Sequence, residues 1–143
     1  MQASVRSTGV HHIDLVVSSI ERSLPFYRDL LGPLGFHGVS EVEGERGETI
    51  YYLWGPGSSV GVRPTQSPRP EPYDRYEIGL HHLAFEAASR AQVEERHEWV
   101  RTQEVEIENA PKEYAYSLGY YAFFFYDPDG IKLEIVHVPR QAA

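Results

Sequence analysis

The chain has 143 residues, enough for one domain with its own hydrophobic core, and its ordinary apolar content is typical of a globular protein. Its net charge of −8 repels phosphate backbones and therefore argues against nucleic acid as a partner. No apolar run reaches the ~18 residues of a membrane span and the N-terminal segment MQASVRSTGV lacks the apolar part of a signal peptide, so we expect a cytoplasmic protein without a membrane partner.

The first predicted elements follow a pair of adjacent histidines, His11 and His12. Ile13, Leu15 and Val17 alternate with His12, Asp14 and Val16, a period of two that predicts a strand with one face on a core. The motif S-x-x-E at Ser18 to Glu21 resembles a capping box, and apolar residues then recur at helical spacing up to about Leu31. Three further strands are predicted, at 36–42, 49–54 and 59–63.

A second histidine pair, His81 and His82, opens the same series again. A short strand follows, then the motif S-x-x-Q from Ser89 to Gln92 and a helix predicted from about 90 to 102. Three strands are predicted after it, at 104–107, 120–126 and 131–138. The chain is therefore an internal repeat within a single domain, 1–143, with module one at 9–63, a proline-rich linker at 64–78 and module two at 79–138.

Four segments of the chain resemble the vicinal oxygen chelate superfamily, the glyoxalase/bleomycin resistance/dioxygenase proteins. They are the openings HHIDLVV and HHLAFE, the helix SIERSLPFYRDLLGPLGF and the hairpin DPDGIKLEIV, which together cover nearly the whole chain. The resemblance implies an α+β fold in which two βαβββ modules form curved mixed sheets around a central cavity. It also implies a metal site on the concave face and, for a chain of this size, a homodimer.

Strand alternation predicts which histidine of each pair faces the cavity. Adjacent strand residues point to opposite faces, and His11 shares the parity of the apolar residues of the core, so His12 is expected to face the cavity. The same reasoning selects His82 over His81. In the last strand, Glu134 alternates with apolar neighbours. The resemblance implies that the ligands are the histidine directly before each apolar strand and this glutamate: His12, His82 and Glu134.

Two imidazoles and one carboxylate form a ligand set that leaves positions for water and a chelating substrate. Such a set suits Fe(II), and also Mn(II), Ni(II) or Zn(II), while the absence of cysteine excludes thiolate ligands. Many family members carry a fourth ligand in module one. The equivalent position here is predicted to be Gly61, or Val60 or Val62 if the alignment slips by one residue, and none of these can ligate through a side chain. Gly61 is there either to leave that coordination position open or for a bulge or a close backbone approach.

Other residues are expected near the metal. Asp14 and Glu86 share the parity of the ligands and are the predicted catalytic acid or base. The tyrosine-rich segment 114–126 is predicted to be mostly core, with one or two hydroxyls reaching the site.

The resemblance implies a metal-dependent enzyme that acts on a small organic substrate, either a dioxygenase or a lyase or isomerase. The alternative is a drug-binding or resistance protein of the same fold, and the site is built either within one chain or across a dimer interface.

Overall fold

The structure is a computed structural model, and it describes residues 4–7 and 9–140. The chain forms two compact units, residues 1–67 and 68–143, and their boundary falls inside the predicted proline-rich linker. Each unit contains one four-stranded mixed sheet and one long helix, so the predicted α+β class and the repeated βαβββ order are confirmed. No helix in the described ranges is both long enough and apolar enough to cross a membrane.

The first unit has the strand order β1-β4-β3-β2. The outer strand β1 runs parallel to β4, and the other pairs are antiparallel. Its elements are β1 His12–Val17, α1 Ile20–Leu31, a short 3-10 helix Gly32–Leu34, β2 Val39–Glu43, β3 Thr49–Trp54 and β4 Ser59–Pro64.

The second unit repeats this plan with the strand order β5-β8-β7-β6. Its outer strand β5 is parallel to β8, as β1 is to β4, and its other pairs are again antiparallel. Its elements are β5 Leu83–Glu86, α2 Arg90–Arg101, β6 Ile107–Tyr114, β7 Tyr120–Tyr126 and β8 Lys132–His137.

In each unit the helix packs against its sheet and buries apolar side chains there. In the first unit the buried side chains include Leu15 and Val17 of β1 together with Tyr27, Leu30 and Leu31 of α1. The residues that alternate with Leu15 and Val17 are exposed or half-buried, which places His12, Asp14 and Val16 on the other face of the sheet. The predicted functional residues of β1 therefore lie on the face away from the helix.

The two helix starts were predicted with different success. Ser89 caps α2 as predicted, because its hydroxyl accepts a hydrogen bond from the Gln92 backbone amide at 3.1 Å. The cap of α1 is Ser19 rather than Ser18, and its hydroxyl accepts from the Arg22 amide at 3.3 Å. Two consecutive serines offer the same capping group, and the glutamate three residues after Ser18 pointed to the wrong one.

The prediction for β6 was wrong in position and length. The strand covers Ile107–Tyr114 rather than 104–107, and it includes Pro111. Proline has no amide hydrogen and is tolerated only where a strand needs no bond on that side. β6 is an edge strand that pairs only with β7, and two register shifts occur between Ile107 and Lys112.

Candidate metal and substrate site

Each sheet carries one acidic residue in an equivalent cross-strand pair, but on a different strand of that pair. In the first unit Asp14 of β1 is opposite Gly61 of β4, and in the second Ala84 of β5 is opposite Glu134 of β8. Asp14 and Ala84 each follow the second histidine of their pair by two residues. Gly61 is therefore the repeat counterpart of Glu134, at the position predicted for a fourth ligand.

Glu134 is a buried acid on an inner strand of its sheet. Only 1% of the residue is exposed. Its Oε1 lies 3.2 Å from Nε2 of His82, and its Oε2 accepts a hydrogen bond from the hydroxyl of Tyr120. His82 directly precedes β5, the parallel neighbour of β8, which brings the imidazole and the carboxylate together. An ionised carboxylate is stable at such a position only when charges or donors compensate for its lost hydration.

Tyr120 also belongs to this site, although the sequence did not distinguish it from the other tyrosines of the segment 114–126. Burial raises the pKa of its hydroxyl, and the hydrogen bond to Glu134 raises the pKa further, so the phenol stays protonated at neutral pH and donates. The pairing of β7 with β8 is the information that would have identified Tyr120. Tyr120 has the parity of Phe124 in β7, and Phe124 is opposite Glu134 in β8.

Aromatic side chains surround this acid on the second sheet. The ring of Phe124 meets the imidazole of His82 edge to face at 6.0 Å and the ring of Tyr114 at 5.6 Å. Tyr114 stacks on Tyr116 at 5.2 Å with an interplanar angle of 4°, and its hydroxyl accepts a hydrogen bond from Asn109 at 2.7 Å. These rings provide flat apolar surface next to polar groups, which is typical of a site for a small organic molecule.

A basic residue lies beside the aromatic cluster. The ammonium group of Lys132 is 4.7 Å from the centre of the Phe124 ring and forms an ion pair with Glu108 at 3.0 Å. Glu108 also accepts a hydrogen bond from the hydroxyl of Tyr126 at 2.9 Å. The charge of Lys132 is therefore balanced within the second unit.

Both histidine pairs have the same geometry. Nδ1 of His11 lies 2.8 Å from Nδ1 of His12, and the same distance joins His81 and His82. The rings meet edge to face at 5.1 Å in both pairs. The two rings of each pair are therefore in contact. His12 is the first residue of β1, whereas His11 precedes β1 and both His81 and His82 precede β5, where strand alternation does not apply.

A glycine lies two residues before each pair. Gly9 has a φ of +111° and Gly79 a φ of +141°, conformations that residues with a side chain rarely adopt. The repeated sequence Gly-x-His-His thus has the same backbone requirement at both places. In each, a glycine with positive φ lies two residues before the first histidine of the pair.

His12 belongs to the first unit. It is exposed on β1, and its ring meets the ring of Tyr52 edge to face at 5.6 Å. Within the described part of either unit, no three histidine or acidic side chains form a metal-binding group. Of the three predicted ligands, His82 and Glu134 are therefore in contact within the second unit, and His12 lies in the first unit.

Asp14 is part of an ion-pair network on the first sheet. Its Oδ2 accepts hydrogen bonds from Tyr52 and from Arg63, both at 3.1 Å. Arg63 also binds Glu48 at 2.9 Å. Backbone amides, first its own and then that of Arg46, lower the pKa of Glu48, and Arg63 lowers it further. These contacts favour a structural role for Asp14 over proton transfer.

Gly61 lies under this network. A Cβ at position 61 would lie 2.3 Å from Oδ1 of Asp14 and 2.6 Å from the ring of Tyr52. The atoms that approach position 61 belong to neighbouring side chains rather than to the backbone, which the sequence did not predict. Glu86, the other predicted acid, is exposed on β5 opposite Val136.

Comparison with known proteins identifies the family. The sequence profile of the Glyoxalase/Bleomycin resistance protein/Dioxygenase superfamily matches residues 9–135. The chain belongs to this superfamily. It is 32% identical over 136 residues to the uncharacterised protein YqjT of Bacillus subtilis strain 168, an alignment that covers 89% of this chain and 97% of that protein.

Solved structures share the fold. A glyoxalase/bleomycin resistance protein from Albidiferax ferrireducens T118 is 25% identical, with a TM-score of 0.71 over 90% of this chain and 98% of that chain. The fosfomycin resistance protein FosX from Listeria monocytogenes is 18% identical, with a TM-score of 0.61 over 92% of each chain. The second similarity concerns the fold alone.

Proposed function

We propose that the protein is a divalent-metal-dependent enzyme acting on a small organic substrate that binds the metal through two vicinal oxygens. The observation that supports this proposal best is the position of Glu134, a carboxylate only 1% exposed whose Oε1 faces Nε2 of His82 at 3.2 Å. Tyr120 supplies a donor to the other oxygen. A cation held between the imidazole and Oε1 would compensate the buried charge.

The proposed ligands are His82, Glu134 and His12. Imidazole nitrogens and a carboxylate oxygen are donors that suit Fe(II), Mn(II), Ni(II) and Zn(II). The bound metal would act as a Lewis acid toward the substrate oxygens. His12 comes from the same chain or from the second chain of a homodimer, and Gly61 supplies no fourth side chain.

The remaining residues have separate proposed tasks. Tyr120 orients Glu134 by holding Oε2, so that Oε1 stays directed at His82. The rings of Tyr114, Tyr116 and Phe124 hold a planar substrate and exclude water from it. Glu86, exposed on β5, is the proposed proton-transfer group. The proposed reaction is a dioxygenase-type or a lyase or isomerase reaction.

Metal binding is the first test. Protein freed of metal with a chelator is titrated with Zn(II), Mn(II), Fe(II) and Ni(II) in a calorimeter, and we expect uptake of about one ion per chain. The loaded forms are then screened for turnover of catechols and hemithioacetals. Absence of uptake for all four ions would contradict the proposal.

Mixed variants test where His12 comes from. His12→Ala and His82→Ala chains are each expected to lose tight metal binding. If the site spans two chains of a homodimer, a mixture of the two variants forms heterodimers, and each heterodimer regains one intact site. If the site lies within one chain, the mixture binds no more tightly than either variant alone.

The second candidate function is binding of a planar drug without metal. It is favoured by the parallel rings of Tyr114 and Tyr116, stacked at 5.2 Å beside Phe124. Aromatic surfaces bind flat ligands through stacking and burial alone. Under this alternative, a chelator leaves ligand affinity unchanged, whereas the enzymatic proposal requires that it abolish turnover.

A further inference from the structure

Arg75 of the second unit is held between two aromatic rings. Its guanidinium carbon lies 4.6 Å from the centre of the Tyr76 ring and 5.5 Å from the centre of the Tyr126 ring. Among the residues that the structure describes, Nε of Arg75 is buried without a hydrogen-bond partner, and no carboxylate lies within ion-pair distance of the guanidinium. The charge of Arg75 is therefore not neutralised by a direct contact.

The segment that carries Arg75 is anchored to the hairpin between β7 and β8. The amide of Tyr73 donates a hydrogen bond to the Asp129 carbonyl at 3.3 Å. The hydroxyl of Tyr73 donates to the Leu80 carbonyl at 2.5 Å, which closes the segment 73–80 on itself. Arg75 is thus held in position before any ligand arrives, and such preorganisation lowers the entropic cost of binding.

A second cation lies beside this guanidinium. The side chain of Lys132 is 12% exposed and pairs with Glu108 at 3.0 Å. Glu108 also accepts a hydrogen bond from the hydroxyl of Tyr126. Burial raises the pKa of Glu108, but these two donors and the charge of Arg75 lower it below its ordinary value. One carboxylate therefore serves two cations, which leaves one positive charge uncompensated here although the chain has a net charge of −8.

This positive charge lies next to the candidate site. The ammonium group of Lys132 is 4.7 Å from the centre of the Phe124 ring, and the same ring meets the imidazole of His82 at 6.0 Å. Lys132 and Glu134 are two residues apart in β8 and so lie on the same face of the sheet. A small molecule on the Phe124 ring can therefore reach the ammonium group with one end and the His82–Glu134 pair with the other.

We propose that Arg75 and Lys132 form an anion subsite beside the Phe124 ring, and that the substrate is a small planar organic acid. Its anionic group, a carboxylate or a phosphonate, binds at these two cations, and its vicinal oxygens lie at the other end. A guanidinium donates in its own plane to two oxygens of one anion, and an ammonium group adds a compact charge. The vicinal oxygens rest on the proposed function, but recognition of the anion requires no metal.

A purely structural explanation would be that the two cations only neutralise Glu108. Lys132 alone provides that compensation through its ion pair at 3.0 Å. Arg75 is not needed for it, since no direct ion pair joins Arg75 to an acid within the described ranges. The two explanations predict opposite effects of removing the charge of Glu108 on the binding of an acid.

A matched set of ligands tests the subsite. We expect 3,4-dihydroxybenzoate to bind about 10-fold more tightly than its methyl ester, which has the same ring and the same vicinal oxygens but no charge. The corresponding phosphonate, 3,4-dihydroxyphenylphosphonate, shows which of the two anionic groups the subsite prefers. Calorimetry is carried out on both the metal-free and the zinc-loaded protein.

Substitutions identify the residues. Arg75→Gln and Lys132→Gln should each weaken binding of the preferred acid by about 10-fold and leave binding of the ester unchanged. Arg101→Gln removes the same charge from a side chain that is 60% exposed on α2, and it should bind the acid as the unaltered protein does. Thermal unfolding of each variant shows whether the fold is intact.

Glu108→Gln separates the subsite from the structural explanation. It is nearly isosteric and removes the competing carboxylate, so the subsite predicts tighter binding of the acid. Unchanged or weaker binding of the acid by a folded Glu108→Gln protein overturns the inference. Equal affinity for acid and ester, or no binding of any of the ligands, overturns it as well. Absence of zinc uptake contradicts the proposed function instead, and the titrations of the metal-free protein then still decide the subsite.

Discussion

The carboxylate of Asp14 lies directly over Gly61, its neighbour across the sheet. Strand register places the two residues opposite each other, and Tyr52 of β3 reaches the same carboxylate from the other side of the glycine. A Cβ at Gly61 would lie 2.3 Å from Oδ1 of Asp14. Three strands are thus joined over a position that must stay without a side chain.

Gly61→Ala is therefore expected to destabilise the protein by about 1 to 3 kcal/mol, the usual cost of overpacking. The added methyl group displaces Asp14 or the Tyr52 ring and weakens their bond to each other. Gly61→Glu should cost more and should not tighten metal binding. Urea unfolding gives the free energy, and calorimetry gives the metal affinity.

The matched control is Gly32→Ala. Gly32 has a φ of −53°, and a Cβ there would meet nothing within 4 Å. Its effect on stability should be small. Equal losses for both alanine variants would show that the contact over Gly61 is not the cause.

Tyr120→Phe should destabilise the metal-free protein by about 1 to 3 kcal/mol, because it leaves one oxygen of a buried carboxylate without its donor. Tyr116→Phe is the control, since Tyr116 is 69% exposed. Both changes remove one hydroxyl from the same aromatic cluster. Chemical denaturation of the two variants side by side measures the difference, and a difference near zero would argue against the Tyr120–Glu134 bond.

His82→Ala and Glu134→Gln should each weaken metal binding by more than about 100-fold, beyond the range for residues that only orient a ligand. His82→Ala removes one of two donor atoms that lie 3.2 Å apart, and Glu134→Gln removes the negative charge of the other. His37→Ala, at an exposed site, should leave the affinity unchanged. Isothermal titration with Zn(II) measures all three, and a Glu134→Gln variant with full affinity would exclude this acid as a ligand.

Glu48 should contribute to stability in a pH-dependent manner. Its pKa in the folded protein is below the ordinary value of 4.5, so its contribution is present above that pH and is lost as pH falls through the folded pKa. Glu48→Gln should lower the free energy of unfolding at neutral pH, and this free energy should then fall less steeply as the pH is lowered. Urea unfolding at pH values from about 3 to 7 tests this, with Glu45→Gln as the exposed control from the same turn.

Sequence periodicity predicted some strands to the residue. The bounds of β3 and β7 agree with the prediction, because both are inner strands with uninterrupted apolar or aromatic character. β6 was misplaced because it is an irregular edge strand whose position depends on its partner, β7. This edge strand, with the sequence IENAPKEY, carries few apolar residues that a local pattern can detect.

The candidate site was predictable only in part. That Glu134 faces away from its apolar neighbours follows from alternation, but its contact with Tyr120 depends on the pairing of β7 with β8. Alternation places His12 on the face of β1 away from the helix, but it does not apply to His11, His81 and His82, which precede their strands. The need for glycine at position 61 depends on side chains from two other strands, which no local pattern contains.

Pro111 in the edge strand β6 also affects whether folded molecules can associate through the edges of their sheets. An exposed sheet edge is a template on which a strand of another molecule can add, the first step toward aggregation. Pro111 lacks the amide hydrogen that such an added strand would need, Lys112 beside it is a charge that disfavours stacking, and the register shifts bend the edge. The irregularity that hid this strand from sequence patterns thus protects the second sheet from intermolecular strand addition.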